Sequence, residues 1–402
     1  MPHIIPFRGI TYKTAGGDFS DYIAPPYDVI DEKYRERLLQ RCPYNFVRLT
    51  VKTPDEQDFF ARVRKQLNDW ISTGILMADS VSRFYFLREK FCHENRLLER
   101  TGFFALVDLK SQDIVRHEVI FDRYKTQRRK LLDATRANLE PIFLLYEDRQ
   151  FIIENTVEKE QISSGILENV QIQFGAIRHC AGMERLIRTV EKQPVFIADG
   201  HHRFEASLNY YLEDPEKNPG YILAYFLNAA SDGLVVLPTH RLIPERVDFE
   251  SCIHKAEQYF IIRKFQDKNS LFARLNAASK CSFAVYSSGE FYLWKLRDFC
   301  AVERMLPQEH SREWKHLDVV ILHYFILKHL LGLDPEKQLF YERDPDAIIK
   351  KADEIPGSVA FFLKRPDIKK IWSISSRGEI MPPKTTYFFP KVPSGLVFVR
   401  FE

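Results

Sequence analysis

The stretch Pro194-Val-Phe-Ile-Ala-Asp-Gly-His-His-Arg-Phe-Glu-Ala-Ser207 constrains the fold more than any other in this chain. Residues 195–198 form an apolar run short enough for a buried strand, Asp199-Gly200 breaks it, and His201 to Leu212 reads as a helix. A strand that turns directly into a helix gathers backbone N–H groups and the positive end of the helix dipole at the turn, which makes the turn an anion site. Arg203 adds a planar, bidentate oxyanion donor. Asp199, at the strand end, suits either of two roles: holding Mg²⁺ beside phosphate oxygens or accepting a proton from a substrate hydroxyl. The bland alternative is an Asp N-cap followed by a solvated first turn. Four chemistry-competent groups in five positions, directly after a buried strand, favour a site.

The rest of the chain has to supply the sheet. A chain of 402 residues suffices for two or three domains, and its 45% apolar and 28% charged residues are ordinary globular usage. A net charge of +3 speaks against a nucleic-acid coat or a polybasic membrane patch. Helices are expected at Asp31–Gln40 and Asp55–Thr73, where Phe59, Val63, Leu67, Trp70 and Ile71 make a core face. Strands are expected at Phe46–Val51, Ser82–Arg88, Gly102–Leu109 and Ile142–Tyr146. Tyr221–Ala229 and Leu234–Leu237 flank Ser231-Asp232-Gly233 as a hairpin would. This alternation predicts an α+β, mixed α/β protein. Its soft boundaries give an N-terminal α/β domain (1–110), a core carrying the Asp199–Arg203 turn (111–245) and a C-terminal α/β domain (246–402).

Leu317–Leu331 is too short and too charged to span a bilayer and reads as a buried helix. The start, MPHIIPFRGITY, has no signal-peptide pattern. Six scattered Cys without a C-x-x-C read as reduced thiols, so a cytoplasmic protein with no membrane partner is expected. The Pro-rich closing stretch, 381–395, is too aromatic for a loose tail and is expected to fold back.

Other candidates surround the turn. His117-Glu118 begins like HExxH, but Val119, Ile120 and Phe121 follow, so no second His completes a zinc pair. Glu118 is a candidate base or second Mg²⁺ carboxylate, with His117 orienting it or touching phosphate; a surface His-Glu pair is the alternative. Arg123 follows closely and is retained as a phosphate contact. The remaining charges of the basic helix, among them Arg128 and Arg129, read as a solvated face over Leu131, Leu132, Thr135 and Leu139. In Leu237-Pro-Thr-His-Arg241, the hairpin's return would carry His240 and Arg241 towards Asp199. Tyr27, Asp28, Lys384, Tyr387 and Lys391 lie in Pro-rich loops, where structural roles are preferred.

These residues also carry a resemblance. The segments PFRGITY, APPYDVI, HE followed by DR, ATRANLEPIFLLYED, ADGHHR, LPTHR and MPPKTTYFFPKVPSGLVF, spread over residues 6–398, resemble the conserved bacterial and archaeal domain-of-unknown-function family 1015, often labelled ParB-like. The ADGHHR region alone is similar to the superfamily of ParB partitioning proteins, sulfiredoxins and free serine kinases, in which a Gly-x-x-Arg turn cradles nucleotide phosphates. ParB proteins carry an acidic-basic pair after the Gly, whereas here His201-His202 follow it, as in serine-kinase-like members. Sulfiredoxin chemistry needs a Cys where this chain has His201.

The resemblance implies a ParB/sulfiredoxin-like nucleotide-binding core and a nucleotide-dependent phosphotransferase acting on a small hydroxylated metabolite, with free serine the leading acceptor. The expected catalytic residues are Asp199, Glu118 and His202. Gly200, His201, Arg203, His117, Arg123, His240 and Arg241 are the expected phosphate contacts. Mg²⁺, on Asp199 and Glu118, and ATP, ADP or CTP are the implied cofactors; no Walker-A sequence is present. Two alternatives stand beside this: a ParB-like nucleotide switch acting on DNA or a protein, and a phosphohydrolase with a transition metal on Asp199, His117, His201, His202 and His240. Adjacent helical residues point about 100° apart, which weighs against His201 and His202 as joint ligands.

Overall fold

The computed structural model describes the chain apart from residues 14–16, 54, 120–121, 217, 280, 335–338 and 402, and describes residues 122–124 by backbone alone. By contact the chain divides into two compact units, neither of them continuous. The first comprises Met1–Val115, Ile120–Val235 and Phe388–Glu402; the second comprises Arg116–Val119 and Val236–Tyr387.

The first unit is built on a nine-stranded mixed sheet of β1 (Ile4–Ile5), β2 (Phe84–His93), β3 (Arg96–Asp108), β4 (Ile114–Val115), β5 (Ile142–Tyr146), β6 (Lys159–Leu167), β7 (Val170–Ile177), β8 (Val195–Asp199) and β9 (Tyr221–Asn228). Its order is β4-β8-β5-β9-β3-β2-β7-β6, with β1 paired to β3. The β8–β4 and β9–β5 pairs are parallel and β8 runs antiparallel to β5. β5 is buried along its whole length, as is β8 until Asp199, so both are near-continuous apolar runs rather than alternating ones. Around them Phe103, Leu144, Tyr146, Leu186, Ile197 and Phe226 belong to one core. Helices of this unit include α1 (Glu32–Arg41), α2 (Val47–Thr50), α3 (Phe59–Ser72), α4 (Asp122–Thr135) and α5 (His201–Glu213).

Two local expectations are corrected here. The Phe46–Val51 run, expected as a strand, contains the helical turn α2. Asn45 decides it: its side chain accepts the Val47 N–H and donates to the Asp21 and Ile23 carbonyls, local bonds that compete with a strand ladder. Nor does β9 form a hairpin with 234–237. It pairs with β3 on one edge and β5 on the other, and a strand has only two edges.

The second unit holds a six-stranded antiparallel sheet of β10 (His240–Ile243), β11 (Phe260–Phe265), β12 (Ser282–Ser287), β13 (Glu290–Leu296), β14 (Phe340–Glu342) and β15 (Val359–Phe362), in the order β11-β13-β12-β15-β10-β14. The expected buried helix is present as a short α turn, Asp318–Val320, that continues as a π-helix over Ile321–Leu330. The chain is thus mixed α/β. All six cysteines are free, and no helix among the described residues is long and apolar enough to cross a membrane.

Candidate functional site

In the first unit the strand–turn–helix forms as the sequence predicts. The register of β8 against β5 slips between Ile197 and Asp199, an irregularity of the kind that re-aims a side chain at a strand end. Gly200 follows at φ +93°, in the left-handed region where a side chain is strained. A Cβ there would lie 3.0 Å from the Arg203 guanidinium and 3.0 Å from Ile142 Cγ2. The Phe204 N–H then donates to the Gly200 carbonyl and α5 begins.

This turn fixes Asp199 between two cations. Its Oδ2 accepts from Arg203 Nη2 at 2.9 Å, one helical turn away, and its Oδ1 accepts from Lys391 Nζ at 2.6 Å. The Arg203 and Lys391 side chains are only 10% and 9% exposed, so both charges are held largely out of water. Burial works against the Lys391 ammonium, but the Asp199 and Asp28 carboxylates outweigh it and raise its pKa. Burial likewise opposes Arg203, and Glu140, Asp199, Tyr27 and Asp28 together raise it. Both cations therefore stay charged at any physiological pH.

A second layer backs this one. Arg128 reaches Glu140 at 3.3 Å, lies 3.6 Å over the Tyr27 ring and donates to the Thr50 carbonyl. Glu140 also accepts from the Tyr27 N–H and the Ser394 hydroxyl. Arg128 is thus buried in an ion pair, unlike the solvated face expected of the basic helix. Arg203, Glu140, Arg128, Asn138 and Ser207 help to line a cavity of about 40 Å³, space for ordered water at most. His201 is buried and His202 half-buried on the first turn of α5.

Other candidates lie in the second unit. His117 is fully buried and its Nε2 meets Thr386 Oγ1 at 2.9 Å. Glu118 Oε2 accepts the Thr385 N–H, and the backbone around it bridges to Met381, so the closing stretch does fold back. His240 Nδ1 accepts the Leu363 N–H; burial and then Arg241 push this imidazole down to about 3, which leaves it neutral. Arg241 donates to His323 Nε2 and to the Thr239, Pro383 and Lys384 carbonyls. The side chain of Arg123 lies outside the described residues.

The metal expectation meets no assembled ligand set. Among the described residues no group of three His, Cys, Asp or Glu side chains is placed to hold an ion. Both oxygens of Asp199 face cations, and Glu118 accepts a backbone N–H. Sequence reasoning did not single out Glu140, and it preferred a structural role for Lys391, which is 192 positions from its partner. Its only signal was its place in a rigid, Pro-rich, aromatic segment.

A family model described as Protein of unknown function (DUF1015) matches residues 4–320. No curated protein matches the chain. Among solved structures, a conserved hypothetical protein from Pyrococcus furiosus aligns with a TM-score of 0.40 at 13% identity, over 74% of this chain and 95% of that one. A free serine kinase variant in complex with ADP aligns with a TM-score of 0.40 at 13% identity, over 73% and 92%. SbnI with a C-terminal truncation, from Staphylococcus aureus, gives 0.38 at 10% identity, over 72% and 84%.

Proposed function

The chain belongs to the DUF1015 family, and on that premise we propose that it is a nucleotide-dependent phosphotransferase whose Asp199–Arg203 turn holds the donor phosphates. One observation carries the reading: four segments distant in sequence each deliver a charged group to a single cluster. Asp28 comes from APPYDVI, Glu140 from ATRANLEPIF, Asp199 and Arg203 from ADGHHR, and Lys391 from FFPKVPSG. The first three of these segments lie within residues 4–320, which the family model matches, and Lys391 lies beyond them. A structural ion pair needs two of these groups; here two cations, Arg203 and Lys391, meet on the one carboxylate of Asp199 beside a helix N-terminus, and those two cations are what an incoming anion would take over.

Asp199 occupies the place that a phosphate would take between Arg203 and Lys391. An incoming nucleotide competes for both cations, which bridge to its phosphate oxygens and neutralise charge as the phosphoryl group moves. The released carboxylate is then the base for an acceptor hydroxyl. The O–H proton passes to Asp199, the acceptor oxygen bonds to phosphorus, and the P–O bond to the leaving phosphate breaks with its electron pair. Magnesium, where required, would travel on the nucleotide's own phosphates, and no step is assigned to it. The similarity of ADGHHR to free serine kinases makes a hydroxylated amino acid, serine first, the acceptor to try.

The test is a transfer assay with ATP, ADP or CTP, with and without Mg²⁺, and a pool of hydroxylated metabolites including serine, read by mass spectrometry. Arg203→Ala and Lys391→Met are expected to weaken nucleotide binding at least tenfold. Asp199→Asn is expected to keep binding while losing at least a hundredfold in turnover, the scale of general-base catalysis. Binding that Arg203→Ala abolishes, without any transfer, would favour the nucleotide switch. A wild-type protein that binds no nucleotide overturns the proposal.

A further inference from the structure

A second convergence of charge lies elsewhere in the first unit, where a groove of about 510 Å³ is lined by Arg35 and Leu39 of α1, Arg48 of α2, and Arg62, Lys65, Gln66, Asp69 and Trp70 of α3. The α3 residues stand at i, i+3, i+4, i+7 and i+8, one face of a helix. Four cations therefore meet from three helices, and the carboxylates nearby are too few. Glu56 pairs with Arg62 at 2.5 Å. Among the described residues Arg35, Arg48 and Lys65 have no carboxylate within 4.0 Å, and Asp69 is the one acid in the lining.

The guanidiniums are also placed against ordinary solvation. Arg35 Nε and Arg48 Nε are both buried without a hydrogen-bond partner. Arg48 spends one nitrogen on the Leu39 carbonyl, and its own carbonyl accepts from Arg62. The proton on Arg48 is held less tightly than usual, through burial first and then through the like charges of Arg62 and Arg35. Like charges drawn together and partly dried repel each other; a multivalent anion turns the same geometry into attraction.

We infer that this groove is a binding site for a compact polyphosphate anion, a diphosphate group free or carried on a small molecule, held by Arg35, Arg48, Arg62 and Lys65. Guanidiniums are the planar donors that grip phosphate oxygens two at a time, and three of the four cations here are Arg. A single carboxylate would answer one of the three unmatched charges, whereas a diphosphate answers two or three. The groove shares no residue with the Asp199–Arg203 turn, so the inference stands or falls apart from the phosphotransferase reading.

The experiment is a calorimetric titration of the full-length protein with inorganic pyrophosphate at constant ionic strength. The expected result is saturable binding that persists in Arg203→Ala, where the turn is disabled, that Arg48→Gln and Lys65→Glu each weaken at least tenfold in that background, and that falls as salt rises. Lys65 is exposed, so its variant keeps the test decisive if Arg48→Gln fails to fold. Absence of pyrophosphate binding, or binding lost in Arg203→Ala and kept in Lys65→Glu, overturns the inference. So does an oligonucleotide that binds tightly at the groove while pyrophosphate does not, because the partner would then be a nucleic acid backbone.

Discussion

Asp199 touches two buried cations and thereby couples stability to ligand binding. Replacing it by Asn leaves Arg203 and Lys391 facing a neutral amide, and breaking a buried pair by removing one partner costs about 3–5 kcal/mol. An anion bound between the two cations would restore part of that loss, since a ligand that binds only the folded state stabilises it. Asp199→Asn is therefore expected to melt below wild type and to gain more in melting temperature from added ADP; equal gains would separate the cations from phosphate binding. His240 supplies the pH counterpart. Burial lowers its folded pKa to about 3 against an ordinary 6.5, so the unfolded chain binds its proton first. The stability it confers is whole above about pH 6.5 and is lost as the pH falls towards 3. Between pH 6 and 4, wild type should lose about 1.4 kcal/mol per pH unit more than His240→Gln in urea unfolding. Parallel slopes would show that the imidazole is not held neutral.

At the scale of elements, the strand–turn–helix is where local sequence and tertiary structure agree. Gly200→Ala tests that agreement, because a Cβ at φ +93° would be strained and would press on the Arg203 guanidinium and Ile142. The expected cost is about 1–3 kcal/mol in thermal unfolding, with weaker nucleotide binding as Arg203 is displaced. A variant with wild-type binding would mean that the turn serves only the fold. Much of this element was legible: an apolar run, an Asp-Gly break and a helical pattern are local signals. Less legible were features settled by what lies alongside. Phe46–Val51 has strand composition, but Asn45 ties its backbone into a turn. The 234–237 run has hairpin chemistry, but both edges of β9 are taken. Lys391 gives no local sign of its partner at all. Charge pairs distant in sequence leave no periodicity to read, and the groove of Arg35, Arg48 and Arg62 is divided among three helices for the same reason.

At the scale of the whole molecule, the first unit is closed by the last residues of the chain. Ser394 exchanges backbone bonds with Ala24, Phe398 does so with Ile10, and Val399–Arg400 pairs with Ala137–Asn138. Arg100, buried against Glu89, sends its other nitrogens to the carbonyls of Phe389 and Pro390. Phe388, Val392, Leu396, Val397, Phe398, Val399 and Phe401 are all buried. At about 1.5–3 kcal/mol for each such side chain, their removal forfeits on the order of 10 kcal/mol or more. That is comparable to the entire stability of an ordinary domain, about 5–15 kcal/mol. Truncation after Tyr387 should therefore abolish cooperative unfolding of the first unit and remove Lys391 from the site at once. Leu396→Ala alone should cost about 2–5 kcal/mol and leave the ion pairs of Asp199 in place. Hydrogen exchange separates the two outcomes. Protection of the β5 and β8 amides should vanish in the truncated chain and only diminish in Leu396→Ala. A truncated chain that keeps that protection would show that the closing segment completes the site without holding the fold.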